Sequence, residues 1–178
     1  MREMLEGLLP RILPIDIPYH LIAHEGKTDL DRSIPRKLRA WQTPGSRFIV
    51  LRDKDAADCR RVKRGLQRLC AGAGREDVLI RIVCHHLEAW FLGDLVAVEA
   101  AFKVRHLARL ERRASLRNPD GLANAAQELK RLVPSYQKLH GARSIGLQLD
   151  PGRNRSHSFR VFVAGLNALV AAMAPVAE

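Results

Sequence analysis

Long apolar runs are missing from this chain. Nowhere do about 18 apolar residues follow one another, so no segment is expected to span a bilayer. Cysteine is scarce as well. Cys59, Cys70 and Cys84 are odd in number, widely spaced and form no C-x-x-C pair. That pattern argues against a disulfide framework or a structural zinc site and for reduced thiols in a cytosolic, cytoplasmic protein. Aromatic residues make up 5% of the chain, too few for base stacking to be the main mode of holding a nucleic acid. Acids are outnumbered, with 19 Asp and Glu against 30 Lys and Arg and a net charge of +11. Such a surplus suits a polyanionic partner such as nucleic acid, although charge speaks to association and not to fold. No internal repeat and no low-complexity tract is visible.

What is present describes one folded domain. The chain has 178 residues, of which 47% are hydrophobic, enough to bury a sizeable core and to argue against disorder. "MREMLEGLLPRILP" carries acids and prolines and lacks a small-residue cleavage site, so it reads as a helix and not a signal peptide. "IDIPYHLIAH" predicts a short edge strand with Pro18 near its start. "GKTDLDRSIPRKLRAW" predicts a helix with Ile34, Leu38 and Trp41 on one face. "RFIVL" and "DVLIRIV" are apolar without alternation, as strands covered on both faces are. Between them, "ADCRRVKRGLQRLCAGAG" predicts a helix closed by glycines. "HHLEAWFLGDLVAVEAAF" reads as one helix, with Asp94 beginning a new turn after Gly93.

Strands alternating with helices predict an α/β fold, a parallel sheet flanked by helices. The second half reads as helical, in "LANAAQELKRLV", "KLHGARSIGLQL" and "SHSFRVFVAGLNALVAAMA". The expected organisation is an α/β core over residues 1–103 and a helical portion over 104–178 packed on the same domain. An α/β unit normally opens on a strand, whereas a helix comes first here, so an opening strand is expected to be missing.

The chemistry concentrates at one strand end. "FIVLRDKDAADC" places Asp53 and Asp55 just past a buried strand, where open α/β sheets bind ligands. Two carboxylates so close repel, and a divalent cation removes the conflict. Mg²⁺ needs only a few hard oxygens and keeps several waters. The competing reading is that Asp55 or Asp58 caps the next helix, and Asp58 is assigned to that helix start. The metal reading requires a third oxygen donor within reach of both Asp53 and Asp55. Glu88, an acid in an apolar helical turn, is the candidate, unless it pairs with Arg52 or Arg81. His85 and His86 at the second strand end read as capping or surface groups able to ligate or shuttle protons. Lys27 in "HEGKTDL" is placed to meet a phosphate as a point charge. Lys138, Arg143, Arg153, Arg155 and Ser156 form a late basic cluster of the type that contacts phosphates, with Phe159 read as core.

Taken together, "HEGKTDL", "FIVLRDKDAADC", "RIVCHHLEAWFLGD", "PSYQKLHGARSIG" and "NRSHSF" resemble a bacterial family, domain of unknown function 4276, over nearly the whole chain. The resemblance implies a relation to Toprim domains, the metal-binding α/β modules of topoisomerases, primases and certain nucleases. It also implies gene neighbourhoods with AAA-type ATPases in phage-defence loci. Toprim chemistry pairs a glutamate at the end of the first strand with a later D-x-D. Asp53 and Asp55 match the latter, whereas Glu3 and Glu6 lie on the first helix and substitute poorly for the former. The resulting expectation is a Mg²⁺- or Mn²⁺-dependent Toprim-like nuclease. Asp53, Asp55 and Glu88 would hold the metal, Lys27 would assist, and nucleic acid would be the partner. In this N-terminally short form it is expected to be weakly active or inactive. The alternative is a non-catalytic interaction or sensor module that partners an ATPase.

Overall fold

The computed structural model describes residues 1–173. Its elements run α1 (Arg2–Ile12), α2 (Lys27–Ala40), β1 (Ile49–Asp53), α3 (Cys59–Ala71), β2 (Leu79–Val83), α4 (Glu88–Leu92) and α5 (Leu95–Phe102). Three short 3-10 helices follow (Ala108–Arg112, Ala114–Leu116, Pro119–Gly121), then α6 (Ala125–Leu132), α7 (Lys138–Gly146) and α8 (His157–Ala171). The architecture is mixed α/β. Among the described residues the sheet has two strands, β1 and β2, paired in parallel with Ile49 opposite Leu79 and Asp53 opposite Val83. Helix α3 is the crossover that parallel strands require.

Each face of this ribbon is covered, which explains why neither strand alternates in hydropathy. On one side Ile34 and Leu38 of α2 and Leu66 and Cys70 of α3 pack with Val50, Val78 and Ile80. On the other lies the main core, built from both halves of the chain. Met4 and Leu8 of α1, Trp90 and Phe91 of α4, Ile145 of α7 and Phe159 of α8 meet Val83 there. Helix α1 crosses α7 at close range. A Cβ on Gly146 would run into the carbonyl oxygen of Met4, and one on Gly7 would lie 2.7 Å from the Leu147 amide nitrogen. Two glycines thus permit the backbone contact that fixes α1.

Two expectations are corrected. The segment 17–24 is extended but pairs with no strand. Pro18 has no N–H to give a ladder, and Tyr19 and Ile22 are exposed. The order α-β-α-β-α-β-α therefore becomes α-α-β-α-β-α-α. The helix expected over "HHLEAWFLGDLVAVEAAF" is broken in two. Asp94 caps α5 by accepting from the Ala97 amide at 3.0 Å, as the new turn at Asp94 anticipated. Gly93 lies against Asn154, and its carbonyl accepts from the Arg155 amide at 2.9 Å. A strand of chain far away in sequence thus occupies the space that a continuous helix would need. The final helix runs to Ala171, and Ala174, the last residue of its expected span, lies outside the described residues.

Candidate functional site at the carboxyl ends of the strands

The last residue of β1 is Asp53. The chain leaves the strand there because Lys54 and Asp55 continue the backbone pairing only briefly, Lys54 N–H to the Val83 carbonyl at 3.0 Å and Asp55 N–H to the His85 carbonyl at 3.3 Å. Asp55 then takes φ 52° and His85 φ 58°. Non-glycine residues visit this left-handed region at a cost, and such strain gathers at functional sites. Here two of them face each other where both strands end. Asp58 caps α3 by accepting from the Arg61 amide at 2.7 Å, which fixes the turn that carries the acids. Its helix-start assignment holds.

Asp53 is the unusual member. Its Oδ1 is buried and has no hydrogen-bond partner. Burial pushes its carboxyl up to about 6, with Asp55 and Glu88 adding to the rise and the Met1 amino group and His86 opposing it. Burial likewise pulls the Met1 amine down, while Asp53, Glu88 and Glu3 hold it up. Asp55 is half-exposed, with Lys27 Nζ at 3.5 Å and His86 Nδ1 at 3.9 Å. Lys27 is the first residue of α2, behind Gly26 at φ 101°. The Asp29 carboxylate steadies that entry by accepting from the Glu25 amide at 3.1 Å.

Glu88 is buried and accepts from the Tyr136 hydroxyl at 3.1 Å. The carboxylate raises the tyrosine, already pushed up by desolvation, far above its usual value. Neither expected arginine reaches Glu88. Arg52 binds Asp31 at 2.8 Å and Arg81 donates to the Val161 carbonyl at 3.0 Å. Beyond Glu88 an open groove of about 500 Å³ is lined by Gln127, Lys130, Arg131, Tyr136 and Lys138. Tyr136 escaped the sequence reading because nothing local to "PSYQK" points to an acid 48 positions earlier.

The geometry thus gathers Lys27, Asp53, Asp55, His86 and Glu88 at one end of the sheet, in a segment of the kind that the resemblance singled out. The family model described as domain of unknown function (DUF4276) matches residues 1–167. The chain belongs to this family. No curated protein and no solved structure matches it. No helix among the described residues is long and apolar enough to cross a membrane.

Among the described residues no group of three His, Cys, Asp or Glu side chains is arranged to hold a metal ion. Asp53, Asp55 and Glu88 share an electrostatic neighbourhood, but the third donor within reach of both aspartates that the metal reading required is not in place among the described residues. Two observations still fit a hard cation bound mostly by water: an unsatisfied buried carboxylate oxygen and a donor set of carboxylates alone. Mg²⁺ is held in that way by one or two carboxylates.

The late basic residues divide. Lys138 lines the groove beside Glu88, and Arg143 is exposed, 3.7 Å from Glu6. Arg153, Arg155 and Ser156 are architectural instead, which corrects their expected phosphate role. Arg153 grips the fully buried Asp94 at 2.7 and 3.0 Å. Arg155 donates to the carbonyls of Glu111 and Leu116 at 2.9 and 3.2 Å. Ser156 is fully buried, gives its hydroxyl proton to Asp120 at 2.6 Å and caps α8. Most of their polar atoms are engaged within the chain, although Arg155 Nε, like Asp53 Oδ1, is buried without a hydrogen-bond partner. Phe159 is core, with its ring centroid 5.1 Å from that of Trp90.

Proposed function

We propose that this protein is a divalent-cation-dependent, Toprim-like nuclease that hydrolyses phosphodiester bonds. The observation that carries the reading is Asp53: a carboxyl buried at a strand end, raised to about 6 and with one oxygen left without a partner. A buried polar atom left unpaired costs free energy, and such groups cluster where a ligand completes them. Asp53 would hold Mg²⁺ or Mn²⁺, with Asp55 and Glu88 as its carboxylate neighbours. When bound, such a cation supplies charge neutralisation at the phosphodiester and an acidified water.

The side chains have distinct tasks. Lys27, exposed beside Asp55, meets the non-bridging phosphate oxygens and stabilises charge as it develops. Tyr136 donates a hydrogen bond to Glu88 and holds it in one orientation. His86, half-exposed, lies 3.9 Å from Asp55 at the mouth of the site. Lys138 extends positive charge along the groove leading from Glu88.

A second reading is favoured by a specific observation, the lack of a three-donor metal group among the described residues. In that reading the domain is a non-catalytic sensor or interaction module, partnered by an AAA-type ATPase, and its acids serve in caps and ion pairs. Calorimetry separates the two. The wild-type chain is expected to bind Mn²⁺, and Asp53→Asn with Asp55→Asn is expected to abolish the heat. Equal binding in the double variant, or none in the wild type, removes the nuclease reading and leaves the module.

A further inference from the structure

We infer that the outer face of α3 is a docking surface for the phosphate backbone of duplex nucleic acid. This rests on the reading of the acids as a phosphodiester site, because it names how the substrate is held beside them. Helix α3 carries Arg60, Arg61, Lys63, Arg64 and Arg68 and no acid within its span. All five are exposed, and among the described residues none lies within ion-pair distance of a carboxylate. Some basic side chains elsewhere are matched, as Arg2 is with Glu6, Arg131 with Glu128 and Arg153 with Asp94; what sets α3 apart is that five unmatched ones share a single helix.

The spacing makes a stripe and not a scatter. Arg61, Arg64 and Arg68 lie three and four positions apart, on one side of the helix, and with Gln67 they line a shallow groove of about 460 Å³. From Arg60 to Arg68 the stripe runs about 12 Å, at the helical rise of 1.5 Å per residue. Like charges at these spacings repel one another, and no protein group among those described relieves them. A polyphosphate does. The helix begins six residues after Asp53, so the stripe leads away from the acid cluster.

Two features select duplex nucleic acid over other polyanions. The apolar side of α3, Leu66 and Cys70, is buried against the sheet with Val50 and Ile80. Nothing apolar is left to enter a lipid surface, as membrane-binding helices require. No aromatic residue lies on α3, so there is no stacking platform for unpaired bases. Arginine dominates the stripe, and its fork matches phosphate oxygens in pairs.

The test uses a fluorescent 24-base-pair DNA duplex in EDTA, read by anisotropy between 50 and 200 mM salt. The wild-type chain is compared with Arg61→Gln, Arg64→Gln, Arg68→Gln, and with a charge-matched control, Arg105→Gln, Arg109→Gln, Arg112→Gln. Loss of three phosphate contacts should flatten the plot of log K against log salt by about 2.7. The wild-type advantage over the α3 variant then shrinks by roughly 40-fold across that range. The control should keep the wild-type slope. Equal losses in both variants, or unchanged binding in the α3 variant, overturn the inference. So does wild-type binding to phosphatidylserine vesicles as tight as to the duplex. Because EDTA removes any metal, duplex binding lost only in the α3 variant supports the surface even if calorimetry has removed the metal site.

Discussion

Asp53→Asn is expected to make the protein more stable at alkaline pH, as neutralising a group held against stability for function should. In the native chain the Asp53 carboxyl releases its proton at about 6, against an ordinary value of 3.8. Between those values the native state holds more protons than the unfolded state, so stability falls as pH rises through the window. The full gap corresponds to about 3 kcal/mol, a ceiling because the group is partly reached by solvent. About half of it, roughly 1.5 kcal/mol, is lost between pH 5 and pH 8, and the rest below pH 5. Asparagine has the same shape and no charge, and so loses none of it. Urea unfolding of both chains at pH 5 and pH 8 in EDTA measures this directly. The wild type should fall by up to about 1.5 kcal/mol more than the variant. Saturating Mg²⁺ should recover stability at pH 8 in the wild type alone, since a ligand that binds the native state raises its stability. Parallel pH profiles for the two chains would refute the reasoning and make Asp53 an ordinary half-buried acid.

Other perturbations test the supports of the site. Tyr136→Phe removes the hydroxyl that Glu88 accepts from and should cost about 1–3 kcal/mol in urea unfolding, because the carboxylate stays buried without its donor. Arg153→Ala strips the cation from the fully buried Asp94. A loss of about 3–5 kcal/mol is expected, and Arg153→Ala with Asp94→Asn should recover part of it.

Local pattern made much of this molecule legible. The spans of α2, α3, β1 and β2 follow from apolar spacing and from caps such as Asp58, whose signal lies within three residues of its partner. Placing Asp53 and Asp55 at a strand end needed nothing more. What stayed hidden depends on distant chain. The "SHSF" segment reads as a phosphate binder until Asp120, 36 positions away, takes the Ser156 hydroxyl. Arg153 looks free until Asp94, 59 positions away, is found beneath it. The break at Gly93 likewise requires Asn154. The opposite error arose at 17–24, where strand-like composition met no neighbour to pair with. A strand is a property of two segments, and one stretch of sequence describes only one of them.

Asp55 and His85, twisted into the left-handed region side by side, bear on how this domain would respond to laboratory evolution. Glycines would sit at these two positions more comfortably, by up to about 1 kcal/mol each. A library sorted for heat resistance alone should therefore drift toward them and loosen the turn that aims the acids. One sorted for the proposed cleavage should keep the awkward pair, and the divergence of the two outcomes would measure how much stability this corner gives up for its shape.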